Sequence, residues 1–139
     1  MTKIIIDTHV RVTGHMQRNY PFFIGDSIVA DKDIQLCISD DLFKEYYEVL
    51  NCEKFSRFPE FLSKGQSLLA EIEMRAKKYL PTVKLTIIND IDDNKLLELA
   101  EISNANFLIV GKTHDFTMQA YKETKIVTPK EYWQNHIAD

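Results

Sequence analysis

Short apolar runs alternate with longer segments of helical spacing along the chain. Five of these runs are rich in Ile, Val or Leu and show little polar alternation. They predict parallel strands that are covered on both faces. The predicted strands are residues 3–6, 34–38, 83–88, 107–110 and 125–127. The segments between them are long enough to form crossover helices.

Apolar residues at helical spacing predict four helices between and after these strands. The predicted helices are residues 39–50, 59–79, 92–103 and 129–136. Ser39 and Thr128 are candidate N-caps, and Pro129 suits the first position of the last helix. The second helix is either continuous or split in two, because Gly65 falls inside it. This order predicts a doubly wound α/β fold with three layers, in which helices cover both faces of a short parallel sheet of about five strands.

Length and composition fit one domain over residues 1–139, with 45% hydrophobic and 27% charged residues. No apolar run is long enough for a bilayer span, and the N-terminus lacks the features of a signal peptide. We therefore expect a cytoplasmic protein without a membrane partner. Cys37 and Cys52 form neither a disulfide framework nor a zinc-ligand spacing, and Cys37 is expected in the core. The net charge of −4 argues against a general nucleic-acid coat.

Acidic residues follow the predicted strands. Asp7, Asp93 and Asp115 each come shortly after a strand, and Glu45 lies on the first helix. The carboxyl ends of parallel strands share one edge of the sheet, where ligands bind. Carboxylates gathered there would repel one another unless a divalent cation lay between them. The pattern therefore predicts a metal site, and a metal site suggests phosphate chemistry.

Each of these carboxylates also has a purely structural interpretation. Asp7 could cap a turn, and Glu45 could be a solvated helix residue. Asp93 could be only a partner of the helix dipole, and Asp115 could cap a following helix. Other chemistry is less well supported, because the four histidines lack metalloprotease spacing and the four glycines are isolated.

Five segments in order carry a resemblance to a known family. They are residues 4–10, 38–50, 90–100, 104–111 and 126–132. The first is similar to an opening strand that ends apolar-Asp-Thr-Asn-Val. The second places a Ser six residues before a Glu, and the third sets an acidic pair ahead of a Leu- and Ala-rich helix. The family is the PIN domain family of metal-dependent ribonucleases, and the last segment resembles its toxin-like branch from bacterial toxin–antitoxin pairs.

The resemblance implies that Asp7, Glu45 and Asp93 are catalytic and hold Mg²⁺ or Mn²⁺, together with an acidic residue after the fourth strand. Such hard ions prefer oxygen ligands, and a bound ion lowers the pKa of water and neutralises charge developing on a phosphodiester. It also implies an RNA substrate, an antitoxin protein as a partner and a homodimer. An apolar contact surface for the dimer is expected from Tyr46, Tyr47, Phe55 and Phe58.

The chain departs from the family pattern after the fourth strand, where Thr-Gly-Asp is common and residues 110–112 read Val-Gly-Lys. Asp115 is the candidate replacement for the missing acid. His9 takes the place of the usual Asn, and Thr8, His9 and Lys112 are the expected substrate contacts. Lys112 would either contact a phosphate oxygen or pair with a carboxylate and block the metal.

The leading hypothesis from the sequence is a metal-dependent endoribonuclease, the toxin of a toxin–antitoxin pair. The alternative is a degenerate PIN domain that binds RNA or a partner without cleavage. A third hypothesis is an unrelated doubly wound domain that binds a small ligand.

Overall fold

Six strands form one mostly parallel sheet in the computed structural model, which describes residues 2–7, 31–50, 59–88, 91–111, 118–132 and 134–135. The strands are β1 (Thr2–Ile6), β2 (Ile34–Ser39), β3 (Lys77–Tyr79), β4 (Phe107–Ile109), β5 (Ala120–Tyr121) and β6 (Thr124–Val127). Their order across the sheet is β3-β2-β1-β4-β6-β5. All pairings are parallel except that of β5 with β6.

The strand order reverses direction beside β1. From β1 the chain moves to β2 and β3 on one side of the sheet, and it then crosses to β4 on the other side. β1 pairs in parallel with both β2 and β4, so that Ile4 lies level with Leu36 and Phe107. Such a reversal is the topological switch point of a doubly wound sheet. The predicted α/β fold is confirmed, with one more strand than expected.

Four helices lie in the described part of the chain: α1 (Asp40–Leu50), α2 (Pro59–Arg75), α3 (Ile91–Ser103) and α4 (Pro129–Tyr132). Both predicted N-caps are confirmed. The Leu42 N–H donates to Ser39 Oγ at 3.1 Å. Thr128 Oγ1 accepts from the Glu131 N–H at 3.2 Å, and Glu131 Oε1 accepts from the Thr128 N–H at 3.0 Å. This reciprocal pair is a capping box.

The core lies between the central strands and the apolar faces of the helices. Ile4, Ile5 and Ile6 of β1 are at most 1% exposed. The apolar face of α3 packs into this core, because Leu96, Leu97, Leu99 and Ala100 are all buried. Cys37 is fully buried, as expected, and burial raises the pKa of its thiol.

The predicted strand at residues 83–88 is wrong. This segment forms no strand, and its backbone is bonded to side chains of α3 in place of a neighbouring strand. Glu98 Oε2 accepts from the Leu85 N–H at 2.9 Å, and Asn94 Oδ1 accepts from the Ile88 N–H at 2.9 Å. Val83 is 43% exposed, whereas a covered strand would bury it.

The third strand is instead β3, within the stretch predicted as the end of the second helix. α2 is continuous through Gly65 and ends at Arg75, whose carbonyl accepts from Gln35 Nε2 at 2.7 Å. Lys77 and Lys78 are exposed on β3. Charged side chains are usual on an edge strand, and they give no apolar signal in the sequence.

The hairpin of β5 and β6 was predicted only in its second strand. Tyr121 and Lys122 anchor it to α3, because the Tyr121 hydroxyl donates to Glu101 Oε1 at 3.1 Å and Lys122 forms an ion pair with the same oxygen. The last predicted helix is observed over Pro129–Tyr132, and the rest of its span lies largely outside the described residues. None of the described helices is long and apolar enough to cross a membrane.

Candidate active site at the carboxyl edge of the sheet

Asp7 lies at the topological switch point. It is the first residue after β1, and its N–H donates to the carbonyl oxygen of Ile109, the last residue of β4, at 2.9 Å. Its side chain is half-buried. In doubly wound sheets, ligands bind in the crevice outside the carboxyl ends of the strands at this point. The backbone therefore presents Asp7 where such a sheet binds ligands.

Helix α1 brings Glu45 towards the same edge. α1 begins directly after β2, and the hydroxyl of Tyr46 donates a hydrogen bond to the carbonyl of Ile6. Tyr46 is only 1% exposed, so this bond is protected from water. Because Ile6 precedes Asp7, the bond fixes α1 against the end of β1. Glu45, next to Tyr46, is half-buried.

Tyr46 has a role that the sequence did not reveal. Helical spacing places it on the apolar stripe of α1, but its hydroxyl bond requires the β1 carbonyl, 40 residues away in sequence. Its burial also removes it from the expected dimer surface. Tyr47 is 56% exposed, and Phe55 and Phe58 lie outside the described residues.

Helix α3 brings Asp93 to this edge from the other direction. The Asn106 N–H, just beyond the end of α3, donates to the Lys3 carbonyl at 2.8 Å, so α3 ends at the amino edge of the sheet. Its first turn, with the half-buried Asp93, therefore lies towards the carboxyl edge. An ion pair of 3.8 Å between Lys95 and Asp41 joins the first turns of α3 and α1.

Among the described residues, two hollows lie beside α3. A crevice of about 10 Å³ holds roughly one water molecule. It is lined by Ser39, Asp41, Leu42, Glu45, Lys95, Leu96 and Leu99. A more open cavity of about 460 Å³ is lined by Lys84, Leu85, Thr86, Ile88, Ile91, Asn94, Lys95 and Glu98. Lys95 borders both hollows, so the cavity adjoins the crevice that Glu45 lines.

The carboxylates offer oxygen ligands of the kind that Mg²⁺ prefers. Within the described ranges, however, no three His, Cys, Asp or Glu side chains are grouped so that they could hold one ion. Asp7, Glu45 and Asp93 lie towards one edge, and each of them has an interaction with another group. Asp115 lies outside the described residues. The ligand set therefore stays a prediction.

The expected substrate contacts, Thr8, His9 and Lys112, also fall outside the described residues and stay predictions. The structure adds a residue that the sequence did not single out. Asn94 is only 4% exposed, and its amide bonds to both the N–H and the carbonyl of Ile88. The sequence signal that could have identified Asn94 was a polar side chain within an apolar helical pattern.

Comparison with protein-family models identifies the family that this chain resembles. A family model described as a PIN domain matches residues 3–114 of the 139 residues. The match begins in β1 and extends beyond β4, so it includes Asp7, Glu45 and Asp93. A search of curated proteins finds no match.

Proposed function

The chain belongs to the PIN domain family, and from this premise we propose that it is a metal-dependent endoribonuclease. PIN domains are generally metal-dependent nucleases, which supports a hydrolase that cleaves phosphodiesters. The observation that carries the proposal is the position of Asp7 at the switch point, bonded through its N–H to the end of β4. Glu45 and Asp93 are the other proposed catalytic residues, each on a helix whose first turn lies at this edge.

The proposed ion is Mg²⁺ or Mn²⁺, held by Asp7, Glu45, Asp93 and Asp115. When bound, the ion supplies a Lewis acid that lowers the pKa of water and offsets charge on the phosphodiester. Asp7 has rigid support, because its own backbone N–H and the preceding carbonyl are both hydrogen-bonded.

Thr8, His9 and Lys112 are proposed to orient the RNA. The Thr8 hydroxyl and the His9 imidazole would donate hydrogen bonds to phosphate oxygens. Lys112 would add a positive charge beside the scissile phosphate, where the family usually has an acid. These contacts position the strand and are independent of base identity.

Calorimetric titration of Mn²⁺ into the wild-type protein and Asp7→Asn tests the proposal, followed by cleavage of RNA. Glu73→Gln is the matched control, because it removes one negative charge from an exposed position on α2. We expect the wild type to bind Mn²⁺ saturably. Asp7→Asn should lower the Mn²⁺ affinity by more than the roughly 10- to 100-fold loss that is typical when a residue supporting a metal ligand is removed. Glu73→Gln should bind and cleave as the wild type does. Unchanged metal-dependent cleavage by Asp7→Asn would refute the assignment.

We further propose that the chain is the toxin of a toxin–antitoxin pair and acts on RNA in the cytoplasm. The support is the resemblance of residues 126–132 to the toxin-like branch. Induced expression in a bacterial host should stop growth, and Asp7→Asn should not. Co-expression of a small adjacent gene should restore growth. Unimpaired growth with soluble, metal-binding wild-type protein would count against the toxin role alone.

A second candidate function is a non-cleaving PIN domain that binds RNA or a partner protein. Lys112, in the place of the family's acid, favours it. A wild-type protein that binds RNA without cutting it, and that gains metal-dependent cleavage on Lys112→Asp, would support this function. Cleavage by the wild type that Lys112→Asp leaves unchanged would exclude it.

A further inference from the structure

One side chain of α3 bonds to both polar atoms of a single backbone residue ahead of the helix. Asn94 Oδ1 accepts from the Ile88 N–H at 2.9 Å, and Asn94 Nδ2 donates to the Ile88 carbonyl at 2.6 Å. One turn further along α3, Glu98 Oε2 accepts from the Leu85 N–H at 2.9 Å. The two side chains hold the segment before α3 against the helix.

The contact of Asn94 is local, because Ile88 and Asn94 are six residues apart in sequence. Asp93 lies next to Asn94 in the first turn of α3. Asn94 is 4% exposed, and a buried amide is costly unless its donor and acceptor are both satisfied. The two bonds to Ile88 satisfy the acceptor and one donor of this amide.

We propose that Asn94 is a positioning residue for Asp93. By fixing Ile88 against the fourth residue of α3, it sets the direction in which the chain enters the helix and so the place of the first turn that carries Asp93. This inference rests on the proposed function for the importance of Asp93 as a ligand. Asn94 itself would touch neither metal nor RNA.

The chemistry of the contact specifies an amide. An aspartate at this position could still accept from the Ile88 N–H, but its carboxylate could not donate to the Ile88 carbonyl and would repel it. Asn94→Asp therefore breaks half of the contact with almost no change in shape. Glu98→Gln is the matched control, because a glutamine oxygen still accepts from the Leu85 N–H.

The experiment measures Mn²⁺ affinity by calorimetry, with the exchange of the Ile88 amide and the chemical shift of the Asp93 amide by NMR. Asn94→Asp should weaken Mn²⁺ binding by about 10- to 100-fold, the usual effect of losing an outer-shell partner. It should also speed exchange at Ile88 and shift the Asp93 resonance. Glu98→Gln should leave all three close to wild type.

A second control separates positioning from general destabilisation. Ile72→Val trims a buried side chain of α2 and should lower stability without changing Mn²⁺ affinity. An affinity loss in Asn94→Asp no larger than that in Ile72→Val would overturn the inference. If the wild type binds no Mn²⁺, the proposed function fails, and the amide resonances of the first turn of α3 decide alone. A shift of the Ile91 amide as well as that of Asp93 in Asn94→Asp, but not in Glu98→Gln, would support positioning. A shift confined to Asp93, the residue next to the substitution, would overturn it.

Discussion

The hydroxyl of Tyr46 is the contact that most directly fixes helix α1 to the end of β1. Tyr46→Phe removes only that oxygen and leaves the ring in place. The Ile6 carbonyl then loses a donor at a site where Tyr46 is 1% exposed. An unsatisfied buried acceptor costs about 1–3 kcal/mol, and we take about 1–2 kcal/mol because the packing is preserved. At roughly 4 °C per kcal/mol for a chain of this length, the melting temperature should fall by about 4–8 °C.

Urea unfolding followed by circular dichroism measures this loss, and Tyr47→Phe is the matched control. Tyr47 is the next residue and is 56% exposed, so the same atomic change should shift stability by less than about 0.5 kcal/mol. Tyr46→Phe should also weaken Mn²⁺ binding, because α1 carries Glu45. A Tyr46→Phe protein as stable as the wild type, or no less stable than Tyr47→Phe, would refute the assigned role of the hydroxyl.

Three further changes test the fold by urea or acid unfolding. Leu97→Ala should lower the free energy of unfolding by about 2–5 kcal/mol, because Leu97 is fully buried. Met74→Ala, at an 81% exposed position, should lower it by less than about 0.5 kcal/mol. Equal losses of stability in the two variants would contradict the assigned core. Ser39→Ala removes the N-cap bond of α1 and should cost about 1 kcal/mol, and an unchanged unfolding midpoint would contradict the cap. Lys122 holds the pKa of the Glu101 carboxyl below its ordinary value of 4.5. The ionised pair therefore stabilises the fold above that pH, and this stabilisation is lost as the pH falls through the lowered pKa. Glu101→Gln should therefore be less stable than wild type at neutral pH, with the difference vanishing in acid; a difference that persists in acid would contradict this linkage.

The parts of the fold that the sequence predicted are those whose determinants are local or strongly apolar. β1 and β2 are Ile-rich and buried, so their composition identified them. The caps of α1 and α4 were predictable because donor and acceptor lie three residues apart. These elements can therefore be predicted without knowing which residues they contact in the folded chain.

The errors occur where the backbone is satisfied by distant partners. Residues 83–88 contain strand-like apolar positions, but Asn94 and Glu98 supply hydrogen bonds that a strand would have supplied. β3 is the opposite case, because it is a strand without an apolar sequence pattern. It pairs with β2 although two of its three residues are exposed lysines. Pairing at a sheet edge depends on the neighbouring strand more than on apolar periodicity.

At the candidate site, too, the acidic sequence pattern was predictable, whereas the contacts that position the acidic residues were not. The order of Asp7, Glu45 and Asp93 along the chain predicted one edge, because the carboxyl ends of parallel strands meet there. How closely the carboxylates approach depends on how α1 and α3 dock, and those contacts lie outside the acidic pattern. The sequence alone therefore predicted the edge at which these residues lie, and the metal site itself stays a prediction.

Two kinds of contact hold the helices at this edge, and they differ in strength. The ion pair between Asp41 and Lys95 is exposed and 3.8 Å long, so it should contribute at most about 1 kcal/mol. The bond of Tyr46 is buried and those of Asn94 are partly buried, so breaking either contact leaves a costly unsatisfied group. Neutralising Asp41 should therefore change the site less than Tyr46→Phe or Asn94→Asp. The placement of Glu45 and Asp93 then depends chiefly on two uncharged side chains, each adjacent in sequence to the carboxylate that it supports.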